Sequence, residues 1–293
     1  MNYFAFPANV ETKPDEAVHF KTYGTLTCNW YDDAGNSLVT SIVSVNDDEL
    51  GKKCTNALIL YCCGNDEQIT SRYVYEKLSH INAAFHIPVF SFEYPSCGWS
   101  RHQRTTQKEE TRAESFMRWI RWLPNDVSLP SEKRLYKLSF AVLCRLRNQY
   151  PNRQIILWGR SIGSAPACRL IQTSHRSHIA GLILESPLAS LQRLLYAGRW
   201  FLSSHTPEPD NHYFDNEEAI RICDKGWPPT FIVHGKKDRT IPCSHSEYLH
   251  KLIGSQSTLV LVDNKAHDTL YLVNDFIDPL RQWIEGTRAS ISL

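Results

Sequence analysis

The stretch Gln154-Ile155-Ile156-Leu157-Trp158-Gly159-Arg160-Ser161-Ile162-Gly163-Ser164-Ala165-Pro166 passes from an apolar strand pattern through Gly-x-Ser-x-Gly into a helix opened by small residues. The bare pentapeptide often arises by chance, but a strand before it and a helix after it turn it into a nucleophile elbow. On that turn the serine hydroxyl stands clear of the sheet, and glycine is required at 159 and 163, where a side chain would strike the neighbouring strand and helix. The head of the following helix supplies backbone N–H groups and the positive end of its dipole. The N–H of Ile162 is therefore the first candidate donor to an oxyanion.

A nucleophilic serine needs a base, and the base needs an acid. Thr230–Asp238 reads as a strand ending in a loop with a carboxylate, and Leu259–Asp268 as a strand ending in a loop with a histidine. Both loops would leave the C-terminal edge of a parallel sheet, where ligands meet such sheets. His267 would take the Ser161 proton and return it to the leaving group, while Asp238 held its tautomer. The chain has 12 histidines, so a plain surface-loop histidine is the rival reading; position and chain order favour chemistry. Glu185, ending the run Leu182–Glu185, is the rival acid. Asp263 and Asp268 read as structural or solvent-facing, with Asp268 able to orient the histidine loop.

The chain order serine, acid, histidine is that of the α/β-hydrolases, whose second oxyanion donor follows the third strand. Here that loop is Cys62-Cys63-Gly64-Asn65-Asp66: Gly64 permits the tight turn and the N–H of Asn65 is the best candidate. Each such donor contributes about 3–4 kcal/mol of transition-state stabilisation. Cys62 and Cys63, adjacent at a strand end, read as packing residues rather than redox or metal groups.

The elements that must hold these groups alternate as βαβ units do. Strands are expected at Ala17–Tyr23, Cys28–Tyr31, Ser37–Val45, Ala57–Cys62, Pro88–Tyr94, Gln154–Trp158, Gly181–Glu185, Thr230–Val233 and Thr258–Val262. Several are unbroken Leu/Ile/Val runs, as strands buried on both faces should be. Helices are expected at Ser71–Ala84, Glu132–Gln149, Ile162–Gln172, Ser244–Leu252 and Tyr271–Glu285. The expected architecture is one α/β-hydrolase domain over residues 1–293, with a mostly parallel sheet of about eight strands and helices on both faces. Residues 101–130 and 188–229 exceed ordinary connections, and read as a lid and a short cap region.

Composition removes other classes. Lys plus Arg number 32 against 31 for Asp plus Glu, without the basic excess a nucleic-acid binder shows. The nine cysteines include no Cys-x-x-Cys pair, and no histidine–carboxylate cluster suggests a metal, so no cofactor is expected. Met1–Pro14 lacks the apolar core of a signal peptide, and no run is long enough to span a membrane. The expectation is a cytoplasmic protein.

Taken together, Tyr61–Asp66, Phe92–Ser100, Pro130–Tyr136, Gly159–Ser164, Glu185–Leu188, His234–Asp238 and His267-Asp268 resemble the motifs of a serine hydrolase family. It comprises the alpha/beta hydrolase domain-containing protein depalmitoylases and their Bem-like relatives. The resemblance runs from about Phe4 onward and implies hydrolysis of acyl esters or thioesters by Ser161, Asp238 and His267. It implies an acylated protein or a lipid-like molecule as substrate. Three departures stand out. Cys63 replaces the family's histidine, residues 101–129 have no counterpart, and Met1–Pro14 does not match the cysteine-rich segment palmitoylated in the vertebrate depalmitoylases, so stable membrane anchoring is not expected. Within that insertion Phe116, Trp119, Ile120 and Leu123 share one helical face, opposite Glu114, Arg118 and Arg121. A helix packed on the body is the plain reading of residues 116–123. A lid with peripheral membrane contact is the sharper one.

Overall fold

The computed structural model describes residues 30–31, 37–38, 42–45, 56–65, 67, 69, 71–94, 132–196, 214–224, 226–270 and 274–291. The chain divides into two compact units, Met1–Arg153 and Gln154–Leu293. The expected strand Ala17–Tyr23, the 101–130 insertion and part of the 188–229 segment lie outside the described residues.

In the first unit, β1 (Trp30–Tyr31) and β2 (Ser37–Leu38) pair antiparallel with each other. Strands β3 (Ile42–Val45), β4 (Ala57–Cys62) and β5 (Val89–Phe92) lie in the order β3-β5-β4, β3 antiparallel and β4 parallel to β5. The continuous strand expected over Ser37–Val45 is thus two short strands in different ladders. All six residues of β4 are buried, as its unbroken apolar run requires. Helix α1 (Arg72–Phe85) makes the crossover to β5 and buries Val74, Leu78, Ile81 and Phe85 at helical spacing. Its start is fixed by Ser71, whose hydroxyl accepts from the Val74 N–H, and its end by left-handed His86 at φ 53°. Helix α2 (Glu132–Gln149) buries Leu135, Leu138, Val142 and Leu146.

The second unit is a parallel sheet in the order β6-β7-β8-β9: Gln154–Arg160, Ile179–Glu185, Thr230–Gly235 and Ser257–Val262. Strands β6, β7 and β8 are almost wholly buried, whereas β9, at the edge, is mostly half-exposed. Helices α3 (Ser164–Ile171), α4 (Leu191–Tyr196), α5 (Asn216–Arg221), α6 (Ser244–Ile253) and α7 (Asn274–Ile291) complete it. Helix α7 buries Phe276, Leu280 and Ile284, and its Trp283 ring lies 6.0 Å from that of Phe231. Gly181 makes that seat possible, because a Cβ there would come within 2.6 Å of the Trp283 ring. Among the described residues the longer ladders hold seven strands, three in one unit and four in the other, against about eight expected. Of the nine expected segments, Ala17–Tyr23 lies outside the described residues and Cys28–Tyr31 appears as β1, which pairs only with β2.

A buried acid in the first unit makes a stability prediction. Glu93 follows β5 and is 1% exposed. Burial lifts its carboxyl from 4.5 to about 8, with the N–H groups of Tyr94 and Ile69 pulling it only partly back. An acid raised on folding costs stability progressively as pH climbs from its unfolded value, about 4.3, toward the folded one. Glu93→Gln should therefore raise the melting temperature clearly at about pH 8 and hardly at about pH 4, as thermal melts at the two values would show. A difference independent of pH would contradict this.

Candidate active site

Because β6 to β9 are parallel and paired in register, their C-terminal ends share one edge of the second unit. At that edge β6 turns through Ser161–Gly163, a single 3-10 turn, before α3 begins. Ser161 has φ 53°, a left-handed conformation that costs a non-glycine residue energy and is characteristic of functional turns. Gly159 is what lets strand and helix close so tightly: a Cβ there would meet the Gly163 carbonyl oxygen and the Ser164 Cα at 2.6 Å. Gly163 itself has an ordinary helical φ of −64°. The turn is clipped from below, where the Ser164 hydroxyl donates to the Ser161 carbonyl at 2.6 Å. Asn216 of α5 donates to the Ser164 oxygen at 2.8 Å and to the Leu188 carbonyl at 2.7 Å. The described part of the 188–229 segment thus braces the elbow from beneath.

The histidine and acid loops are drawn together beside it. After β8, the N–H groups of Lys236 and Lys237 donate to the carbonyls of Val262 and Lys265 at 2.9 and 2.8 Å. Gly235 leaves room for that approach, since a Cβ would fall 2.3 Å from the Lys265 carbonyl oxygen. Gly235→Ala should push the histidine loop away and lower turnover by about 10²-fold, because ångström misplacements at a reacting centre cost that much. Steady-state kinetics would check it, and wild-type kcat in the variant would refute the packing argument.

The result is a continuous hydrogen-bonded chain. His267 Nε2 lies 3.0 Å from Ser161 Oγ, and His267 Nδ1 lies 2.6 Å from Asp238 Oδ2. An ionised carboxylate only accepts, so Nδ1 carries the proton and Nε2 is left to accept from the serine hydroxyl. All three residues are buried, at 7 to 8% exposure. Burial alone would raise the Asp238 carboxyl. Hydrogen bonds from His234 and His267, the charge of His267 and the Ile241 N–H outweigh burial and hold it well below the ordinary carboxylate range. Asp238 Oδ1 accepts from the N–H groups of Thr240 and Ile241, each at 2.8 Å.

His234 is not singled out as a functional residue by the sequence. Fully buried on β8, its Nε2 lies 3.0 Å from Asp238 Oδ2 and 2.8 Å from the Ile241 carbonyl, so that nitrogen donates. Its Nδ1 accepts from the Ser246 hydroxyl at 2.6 Å. The available signal is a strand histidine four residues before the acid. Glu185, the rival acid, is engaged elsewhere: Oε2 accepts from the Trp158 indole at 3.0 Å and Oε1 faces Arg160 Nε at 3.6 Å. The structure sets Asp238, not Glu185, against the imidazole.

Ile162 is the first residue after the serine, inside the turn that leads into α3. Asn65, the other expected donor, stands half-buried in the turn after β4, in the first unit. That turn is held by a buried ion pair that the sequence does not reveal. Lys77 Nζ lies 3.1 Å from Glu67, whose carboxylate also accepts from the Tyr61 hydroxyl at 2.9 Å and the Gly64 N–H at 2.6 Å. Cys63, where the family pattern has histidine, puts Sγ 3.3 Å from Ser91 Oγ, and its carbonyl accepts from the Tyr94 hydroxyl at 2.6 Å. Burial raises the Cys62 and Cys63 thiols well above their ordinary value, which keeps them protonated and fits packing. Among the described residues no group of His, Cys, Asp and Glu could hold a metal, and no helix is long and apolar enough to cross a membrane.

The fold recurs in solved structures. The esterase Pf2001 of Pyrococcus furiosus superposes with a TM-score of 0.62 at 12% identity, covering 98% of each chain. The chain has the α/β-hydrolase fold. An α/β serine hydrolase without a lid from Xanthomonas campestris gives a TM-score of 0.54 at 15% identity, over 91% of this chain and 95% of the other. In sequence, the chain is 30% identical over 158 residues to alpha/beta hydrolase domain-containing protein 17C of Xenopus tropicalis, covering 53% of this chain and 47% of that one. It is 28% identical over 165 residues to alpha/beta hydrolase domain-containing protein aho-3 of Caenorhabditis elegans, covering 55% and 46%. The chain thus spans about half the length of the curated relatives it matches. No protein-family model matches it.

Proposed function

We propose that this α/β-hydrolase is a serine hydrolase that cleaves acyl esters or thioesters through an acyl-enzyme. The observation carrying the proposal is the unbroken path Ser161–His267–Asp238 at 3.0 and 2.6 Å. Ser161 attacks the acyl carbonyl as His267 takes its proton, and the imidazolium then returns that proton to the leaving group. The N–H of Ile162 receives the oxyanion. Water, deprotonated by the same imidazole, releases the acid and restores the serine.

The finer proposal is removal of palmitoyl groups from protein cysteines. The resemblance to the depalmitoylase motifs and to the alpha/beta hydrolase domain-containing proteins 17 supports it. A second reading, a carboxylesterase or lysophospholipase, is favoured by the esterase among the structural neighbours. A kcat/KM series over p-nitrophenyl esters of increasing chain length, run beside a palmitoyl-thioester peptide, separates them. Depalmitoylation requires rates that rise with chain length and a thioester cleaved at least as well as the best ester; a preference for acetyl or butyryl esters contradicts it. Peripheral membrane contact through residues 116–123, in a cytoplasmic protein, belongs to the same proposal. Equal liposome sedimentation of wild type and Trp119→Asp/Trp122→Asp would end that part.

A further inference from the structure

The residue that couples the nucleophile to its base lies one position before the serine. Arg160 ends β6 and is 1% exposed, although its guanidinium is charged at any accessible pH. A charge so placed must be compensated, and Glu185, paired with Arg160 across β6 and β7 and equally buried, supplies the counter-charge at 3.6 Å. Glu185 is itself steadied by the Trp158 indole at 3.0 Å. The guanidinium also reaches outward: Nη2 lies 3.0 Å from Asp268 Oδ1 and 3.5 Å from the carbonyl oxygen of His267. One side chain thus spans from the strand that presents Ser161 to the backbone of the residue that must deprotonate it.

We infer that Arg160 is a positioning residue, a latch that fixes the His267 loop through Asp268 and the His267 carbonyl while Glu185 anchors it from below. This rests on the serine-hydrolase reading and extends it. Arg160 acts by holding Nε2 within reach of Oγ. The latch also accounts for Glu185 at the site's edge: it is the anchor of the arginine and not a second candidate for the triad.

Asp268 is solvent-exposed, so its replacement tests the latch without emptying the core. Asp268→Asn should lower kcat on an activated ester, and the rate constant of fluorophosphonate labelling, by about tenfold, with KM within about twofold, as expected for a misplaced base rather than lost binding. Asp268→Glu, which keeps the charge, should recover most of the rate. Replacement of the Arg160–Glu185 pair by Arg160→Gln/Glu185→Gln removes both buried charges together and should show the same drop in rate constant. Wild-type rates in Asp268→Asn and in the double variant would overturn the latch. So would labelling at the wild-type rate with only a smaller labelled fraction, which marks loss of folded protein. A wild-type chain that is not labelled at all would instead remove the serine-hydrolase reading, and the latch with it.

Discussion

Ser161→Ala and His267→Ala should each lower kcat by about 10⁶-fold, and the double variant should be no slower than either. The equality follows from the geometry. The 3.0 Å contact between Oγ and Nε2 makes the two side chains one device, so removing either atom ends nucleophilic attack. What remains in each variant is whatever the backbone donors and substrate binding provide, and that remainder is common to all three. Steady-state hydrolysis of an activated ester measures it. Losses that multiply in the double variant would show that the two residues act independently, contrary to the shared hydrogen bond.

Asp238→Asn is expected to cost about 10⁴-fold in kcat while the fold persists. The carboxylate receives four donors: the two imidazoles of His234 and His267 on Oδ2, and two backbone N–H groups on Oδ1. An amide in the same place can keep its oxygen toward Thr240 and Ile241, but its NH2 then faces two ring nitrogens that themselves donate. The imidazole of His267 must flip its proton to Nε2 to accept from that NH2, and it then has no lone pair for the serine. The same crowding of donors should make the Asp238→Asn variant less stable than wild type by about 1–3 kcal/mol. Kinetics and urea melts on the one variant check both halves. Wild-type kcat would show that Asp238 does not set the tautomer.

The elbow is legible in the sequence because its requirements are local: a strand, two glycines and a helix of small residues all lie within one short stretch. The strand positions are legible for the same reason, since Leu157 or Ile232 in an unbroken apolar run has few other places to go. Choosing between Asp238 and Glu185 is not a local question. Glu185 ends one parallel strand and Asp238 follows the next at the same edge, and only the contacts of Glu185 with Trp158 and Arg160 show which carboxylate is already engaged. His234 and Asn216 escape notice for a related reason. A buried strand histidine resembles a core residue until the acid four positions later turns back beneath it, and Asn216 meets Ser164 from 52 residues away. Nothing local in the sequence marks Glu67 and Lys77, ten positions apart, as a pair, yet both are buried and in contact. Ser37–Val45 reads as one strand because it is rich in valine, isoleucine and threonine with no glycine or proline to break it; the ladders its two ends join are different.

Covalent labelling measures directly whether Ser161 is an activated nucleophile, on which every catalytic step here depends. Wild-type protein exposed to a fluorophosphonate at neutral pH, then digested and read by peptide mass spectrometry, should carry the adduct on the Ser161 peptide. His267→Ala should slow the reaction by several orders of magnitude, and Ser161→Ala should abolish it. Folded wild-type protein that stays unmodified, or an adduct at a serine other than 161, would contradict the assignment.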